Sequence, residues 1–214
     1  MKIQVNRIAH PVTVLGPGRR IGVWVQGCHI GCPGCASVDT WDAETGETLD
    51  TAALASELAT IIKADDLTGV TLTGGEPTEQ AAELTDLVIR LRDEVKDRQL
   101  DVLMFTGRTA KAAERTAPNL WAVVDAAICG PYRESRPGTD ALIASANQTL
   151  VVRTELGAER MGELERTTPT MLQARVGEGE ITLIGLPGPG DLPRIEAALR
   201  QRGVVMEGRS WLTP

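Results

Sequence analysis

No apolar run in this 214-residue chain approaches the roughly 18 residues that a membrane-crossing helix needs, and lysines and arginines nowhere form a cluster. The first absence points to a soluble protein. The second, with a formal net charge of −7 and a pI near 5.0, argues against a protein that grips nucleic-acid backbone. Aromatic residues make up only 3%, with one Phe and one Tyr, so the core must be built from Val, Leu, Ile and Ala. Histidines number two, His10 and His29, which leaves few nitrogen donors for a metal. The amino-terminal stretch Met1-Lys-Ile-Gln-Val-Asn-Arg7 alternates like a strand and carries neither the apolar stretch nor the cleavage site of an export signal. A cytoplasmic location is therefore expected. With 42% hydrophobic and 24% charged residues, the composition is that of a globular protein with room for one domain and a small appendage.

Cysteine is scarce too, but its placement is not random: of four, Cys28, Cys32 and Cys35 fall within eight residues. In a chain without an export signal, clustered cysteines are ligands more often than disulfide partners. Three thiolates at C-x3-C-x2-C spacing can hold three corners of a cubane iron–sulfur cluster and leave one iron without a protein ligand. Gly27, Gly31 and Gly34 interleave with them and let backbone approach the sulfides. A zinc knuckle is the alternative, and it would want a fourth Cys or His close by. His29 could reach only by bending back within its own loop. Cys129 closes an apolar run and reads as a small buried hydrophobe. One spare cysteine leaves no ligand set for a second cluster.

The rest of the first 150 residues alternates between helical and extended patterns. Residues 50–64 place Leu54, Leu58, Ile61 and Ile62 on one helical face, with Asp50 as cap. Residues 69–73 read as a strand ending at Gly74-Gly75-Glu76-Pro77, and a second amphipathic helix follows through Leu84, Leu87, Val88, Leu91 and Val95. Residues 100–105 form the next strand, stopping at Thr106-Gly107-Arg108, then a helix of about ten residues, then a buried strand over 122–129. Such alternation predicts an α/β fold of parallel βα units with the ligand loops beyond the strand C-terminal ends. About five units are too few for an eightfold barrel, so a partial barrel or an open parallel sheet is expected over residues 1–154. The tail, 155–214, reads as a small α+β lobe: a hairpin over 170–186 around Gly177-Glu-Gly-Glu180, and a helix capped at Asp191 and closed by Gly203.

The segments Gly16-Pro17-Gly18-x-Arg20, Val25-Gln26-Gly27-Cys28-x3-Cys32-Pro33-Gly34-Cys35 and Thr40-Trp41-Asp42 together resemble the radical S-adenosylmethionine enzymes that activate glycyl radical enzymes. The likeness resumes at Thr73-Gly74-Gly75-Glu76-Pro77 and Phe105-Thr106-Gly107. It continues at Asp125-x4-Gly130-Pro131-Tyr132 and Ser145-Ala146-Asn147-Gln148, which are similar to the activating enzymes of anaerobic ribonucleotide reductase. The resemblance implies that Cys28, Cys32 and Cys35 bind a [4Fe-4S] cluster whose open iron takes S-adenosylmethionine. The reduced cluster would cleave that cofactor to methionine and a 5′-deoxyadenosyl radical. Thr73, Gly74, Gly75 and Glu76 would hold the methionine end, since a two-glycine turn exposes carbonyls that suit an ammonium group; a tight strand-to-helix turn explains the same residues. Thr106 and Arg108 would reach the ribose or carboxylate, or simply cap a helix. Arg20 and Gln26 flank the cluster loop, where a cation or amide would offset its charge, and Asn147 is a further candidate for cofactor or substrate. The implied partners are a glycyl radical enzyme and an electron donor such as flavodoxin. A radical enzyme acting directly on a small molecule or peptide, and a non-catalytic iron–sulfur or zinc module, are the other readings.

Overall fold

The computed structural model describes residues 1–138, 140, 142–164, 172–177, 180–206 and 209–212. Its centre is a seven-stranded sheet built from β1 (Lys2–Val12), β2 (Arg20–Val25), β3 (Glu47–Asp50), β4 (Gly69–Gly74), β5 (Asp101–Thr106), β6 (Ala126–Cys129) and β7 (Thr149–Val152), in the order β3-β1-β2-β4-β5-β6-β7. Strands β2, β4, β5 and β6 run parallel, and β1, β3 and β7 are antiparallel to their neighbours. The α/β fold is as expected, and the sheet is mixed rather than parallel throughout. Between β6 and β7 the chain has no helix to carry it back along the sheet, so β7 can only return antiparallel.

Helices α1 (Thr51–Ala64), α2 (Ala81–Glu94), α3 (Ala110–Thr116) and α4 (Pro118–Val123) connect the parallel strands. Asp50 caps α1, its carboxylate accepting from the Ala52 and Ala53 amides. Pro118 splits the expected ten-residue helix in two, because a proline cannot continue α3 but suits the first turn of α4. Residues 122 and 123 finish α4, so the buried strand is shorter than its apolar run and begins at Ala126.

The sheet has two differently covered faces. Val102, Met104, Ala127 and Cys129 face one core with Leu54, Leu58, Leu84, Leu87 and Leu120 of the connecting helices. Their strand neighbours Leu103, Ala126 and Ile128 point the other way, against Leu142 and Met161. Met161 lies on α5 (Glu155–Leu164), and further along that face Ile184 packs with Ala9, Val12, Leu15 and Trp24. Ile184 belongs to β9 (Ile181–Gly185), paired antiparallel with β8 (Leu172–Val176); helix α6 (Asp191–Gln201) follows. The chain after residue 154 therefore covers the second face of the sheet. The expected hairpin turn at residues 178 and 179 lies outside the described residues. Gly190 rather than Asp191 precedes the first turn of α6; the Asp191 carboxylate instead accepts from the Gly188 amide. Gly203, at φ +82°, closes the helix as expected. Among the described residues no helix is long and apolar enough to cross a membrane.

Candidate iron–sulfur site

The three cysteines lie on the loop that leaves the C-terminal end of β2, and all four thiols of the chain are free. The neighbouring β4 turn holds this loop in place through backbone bonds. Gly75 N–H donates to the Val25 carbonyl at 2.8 Å and Glu76 N–H to the Gly27 carbonyl at 2.8 Å. Gly75 approaches so closely that a Cβ there would stand 2.2 Å from the Gly27 oxygen, and Gly74 turns at φ +96°. On the other side of the loop Ile30 rests on Gly107, where an added Cβ would meet its Cδ1 at 2.6 Å. Glu79 accepts from the His29 amide at 3.2 Å and meets His29 Nδ1 at 2.8 Å. His29 thus serves as a tether, and its ring points outward.

Backbone N–H groups point at the sulfurs. Ser37 N–H reaches Cys35 Sγ at 3.4 Å, and the backbone at Ile30, Gly31 and Tyr132 favours the thiolate forms of Cys28 and Cys32. Burial pushes the Cys28 and Cys32 thiols up, against the pull of these bonds, so metal binding must displace protons from them. The donor set suits a cubane: each thiolate takes a different iron, and N–H···S bonds stabilise the negative cluster. A single ion asks for donors converging on one point, and no group of three His, Cys, Asp or Glu does so among the described residues.

Glu76 is almost fully buried. Its Oε1 accepts from Thr78 N–H at 3.0 Å, Thr78 Oγ1 at 2.7 Å and Thr106 Oγ1 at 2.7 Å, and its Oε2 from Gly107 N–H at 2.8 Å. That carboxylate ties the β4 turn to the end of β5 and has no reach toward a ligand. Thr106 is likewise turned inward, donating to Glu76 and accepting from Arg108 N–H. Arg108 anchors through Nε to Thr78 Oγ1 at 2.7 Å, its Nη2 lies 3.8 Å from Glu79 Oε1, and its side chain is partly exposed.

Two sequence candidates are displaced altogether. Arg20 sits at the opposite end of β2, about 16 Å from the cysteine loop at the usual strand rise. It is completely buried, and all five N–H donors are used: two to Asp101, and one each to Thr71 Oγ1 and the Pro17 and Val70 carbonyls. A fork so occupied has nothing to offer a substrate. Gln26 is buried as well, its amide donating to Asp39 O, Asp42 O and Thr45 Oγ1 while its oxygen accepts from Asn6. It folds residues 38–45 back beside the cysteines rather than touching what they bind. Asn147 stays a candidate: its Nδ2 donates to the Pro131 carbonyl, and its Oδ1 is buried without a partner among the described residues.

Beyond the cysteines, the ladder between β4 and β5 stops at Leu72–Met104 although both strands run on to Gly74 and Thr106. Above this split lies a cavity of about 960 Å³, reached by Cys35, Thr73, Gly74, Phe105, Tyr132 and Gln148. Its opposite wall comes from the C-terminal segment, notably residues 180–190 and 204–206. The hairpin was expected here, but its residues form no motif that marks them as a cavity wall. Cys129 is a buried thiol pushed up to about 11 by burial and by the nearby Glu76, and it stands apart from the loop as expected.

Three free thiols on one backbone-pinned loop at the rim of an α/β sheet define an iron–sulfur binding protein in form. Residues 14–151 match the family model described as a 4Fe-4S single cluster domain, and the chain belongs to that family. It is 31% identical over 144 residues to the anaerobic ribonucleoside-triphosphate reductase-activating protein of Enterobacteria phage T4, a match covering 66% of this chain and 89% of that protein. The protein of the same description from Vibrio cholerae is 29% identical over 150 residues, covering 66% of this chain and 93% of its own. That of Escherichia coli is 30% identical over 103 residues, covering 46% and 65%.

Proposed function

We propose that this protein reductively cleaves S-adenosylmethionine and thereby activates an anaerobic ribonucleoside-triphosphate reductase, taking hydrogen from a glycine of that partner. The relatives carry the activating role in their names, and the cysteine loop pinned over the Gly74-Gly75 turn is the observation in this chain that supports the chemistry. Cys28, Cys32 and Cys35 would hold the cluster. When bound, a [4Fe-4S] cluster with one open iron supplies the single electron that splits the sulfonium into methionine and a 5′-deoxyadenosyl radical.

The chain's own part is positioning. Backbone of Thr73, Gly74 and Gly75 would receive the methionine ammonium where the β4–β5 ladder opens, with Glu76 fixing the turn from below. The partly exposed end of Arg108 would take a carboxylate, and the unpaired Asn147 Oδ1 would accept from a hydroxyl or amine. Electrons would come from a flavodoxin-like donor.

Anaerobic reconstitution with iron and sulfide, then dithionite and S-adenosylmethionine, tests the reading. The expected result is 5′-deoxyadenosine by chromatography and, with the reductase present, a glycyl doublet by electron paramagnetic resonance. Absence of 5′-deoxyadenosine from cluster-loaded protein refutes it. A second reading, direct action on a small molecule or peptide, is favoured by the C-terminal wall of the cavity, which lies beyond the family match. Nucleoside formation without a doublet on the reductase would select it.

A further inference from the structure

The cavity's outer wall is a strand with an unused edge. Among the described residues β9 pairs only with β8, and residues 181–187 make no backbone bond to any other segment. Every residue from Glu180 to Gly190 nevertheless lines the cavity. The strand therefore borders the cavity along its whole length. At about 3.3 Å per residue, Ile181–Gly185 offers about 17 Å of edge whose outward N–H and C=O groups have no partner among the described residues, a template for an added strand.

The hairpin is fixed rather than loose. Gln173 donates to the Pro11 carbonyl at 2.8 Å and accepts from Thr13 N–H at 3.1 Å, Ile184 is buried against Trp24 and Leu15, and Asp39 N–H donates to the Ser210 carbonyl at 3.1 Å beside the cysteine loop. Side chains along the wall, Leu183, Leu186, Val205 and Met206 among them, are apolar.

Charge narrows the occupant. Both arginines of the lining are already paired, Arg7 with Asp39 at 2.8 Å and Arg209 with Glu196. Glu134 and Glu180 line the same space and carry no ion pair among the described residues. The enclosed charge left over is negative, which complements a cation and repels nucleotide phosphates.

We propose that this cavity binds an extended peptide segment carrying a basic side chain, added as a strand along the free edge of β9 with its cation against Glu180 and Glu134. The far end of the cavity is bounded by Cys35, Thr73 and Gly74, so a peptide on this edge passes its Cα–H groups beside the proposed radical site. In that respect the inference rests on the proposed function, and it names the form in which that site receives its substrate: an extended segment, not a folded surface.

Binding can be read without any cofactor, by fluorescence anisotropy of the full chain with a labelled decapeptide of alternating threonine and valine, a central glycine and one arginine. Saturable binding is expected, at least tenfold tighter than that of the same peptide with glutamate for arginine. One of two peptides N-methylated at odd or at even positions should lose at least tenfold, because alternate amides point at the edge. Glu180→Lys should invert the charge preference; the Glu180 side chain is exposed and makes no ion pair among the described residues, so the melting temperature should be unchanged. Equal binding of both N-methylated peptides, an unaltered preference in Glu180→Lys, or no saturation by any peptide overturns the proposal. Cofactor cleavage, measured separately on reconstituted protein, can succeed or fail without moving these outcomes.

Discussion

Replacing Glu76 by glutamine separates a structural carboxylate from a ligand-binding one. The side chain accepts four hydrogen bonds in a site closed to solvent, three at Oε1 and one at Oε2. Glutamine would keep its oxygen toward the three donors from Thr78 and Thr106 and turn its NH2 toward the Gly107 amide. One charge-assisted bond, about 2 kcal/mol, would become a buried donor facing a donor, at about 1–3 kcal/mol more. A total near 4 kcal/mol lowers the melting temperature by about 8–16 °C in a domain of this size. The assay is thermal unfolding by circular dichroism, beside titration of the reconstituted protein with S-adenosylmethionine. Thr106→Val in the same background should cost less than in the native protein, since its partner is already weakened. A melting temperature within 2 °C of the native value, with cofactor affinity down tenfold, would refute the reasoning and place the carboxylate on the ligand.

Three further outcomes follow from the same geometry. Arg20→Met should destabilise by about 3–5 kcal/mol in urea unfolding by stranding the Asp101 carboxylate, and should leave iron content of the folded protein unchanged; lost iron with native stability would return Arg20 to the site. Gly75→Ala should abolish stable cluster loading, measured as iron and sulfide per chain, because its Cβ would collide with the Gly27 oxygen at 2.2 Å; full loading would show that the turn does not set the loop. In the cluster-free protein at pH 8, Ellman's reagent should modify three thiols quickly and Cys129 only on unfolding, its pKa being raised to about 11. By linkage, a raised folded pKa means that this thiol stabilises the fold below pH 9 and ceases to do so as pH rises from 9 to 11, so Cys129→Ala should flatten the alkaline limb of a stability profile.

The sequence signals that succeeded were local ones. Asp50 as a cap, the 3.6-residue spacing through α1 and α2, and the Gly-Gly turn after β4 each depend on residues a few positions apart. Arg20 and Gln26 misled because their proximity to the cysteines in sequence says nothing about which end of a strand or which side of a loop they occupy. Arg20 starts β2 and the cysteines follow its end, so the strand's length alone separates them. The 122–129 run was apolar for two reasons, the buried side of α4 and then β6, and no period distinguishes the two. The β8–β9 hairpin was legible over 170–186, but its place over the sheet was not, since that depends on Gln173 meeting Pro11 and Thr13, some 160 residues away.

The two faces of the sheet explain why a segment beyond the family match bears on the chemistry. Alternation along β5 commits Val102 and Met104 to the helical core and leaves Leu103 and Phe105 on the opposite side. Connecting helices cover the first side, and without the chain beyond residue 151 the clusters around Trp24, Leu103 and Phe105 would lose Met161, Ile184 and Leu186. That uncovered apolar strip lies directly below the split in the β4–β5 ladder and beside Cys35. A reactive carbon radical needs such a surface dry, because water and mobile groups open side reactions. Here α5 and the β8–β9 hairpin cover part of that strip, so a partner of the proposed kind would have to enter through the remaining cavity.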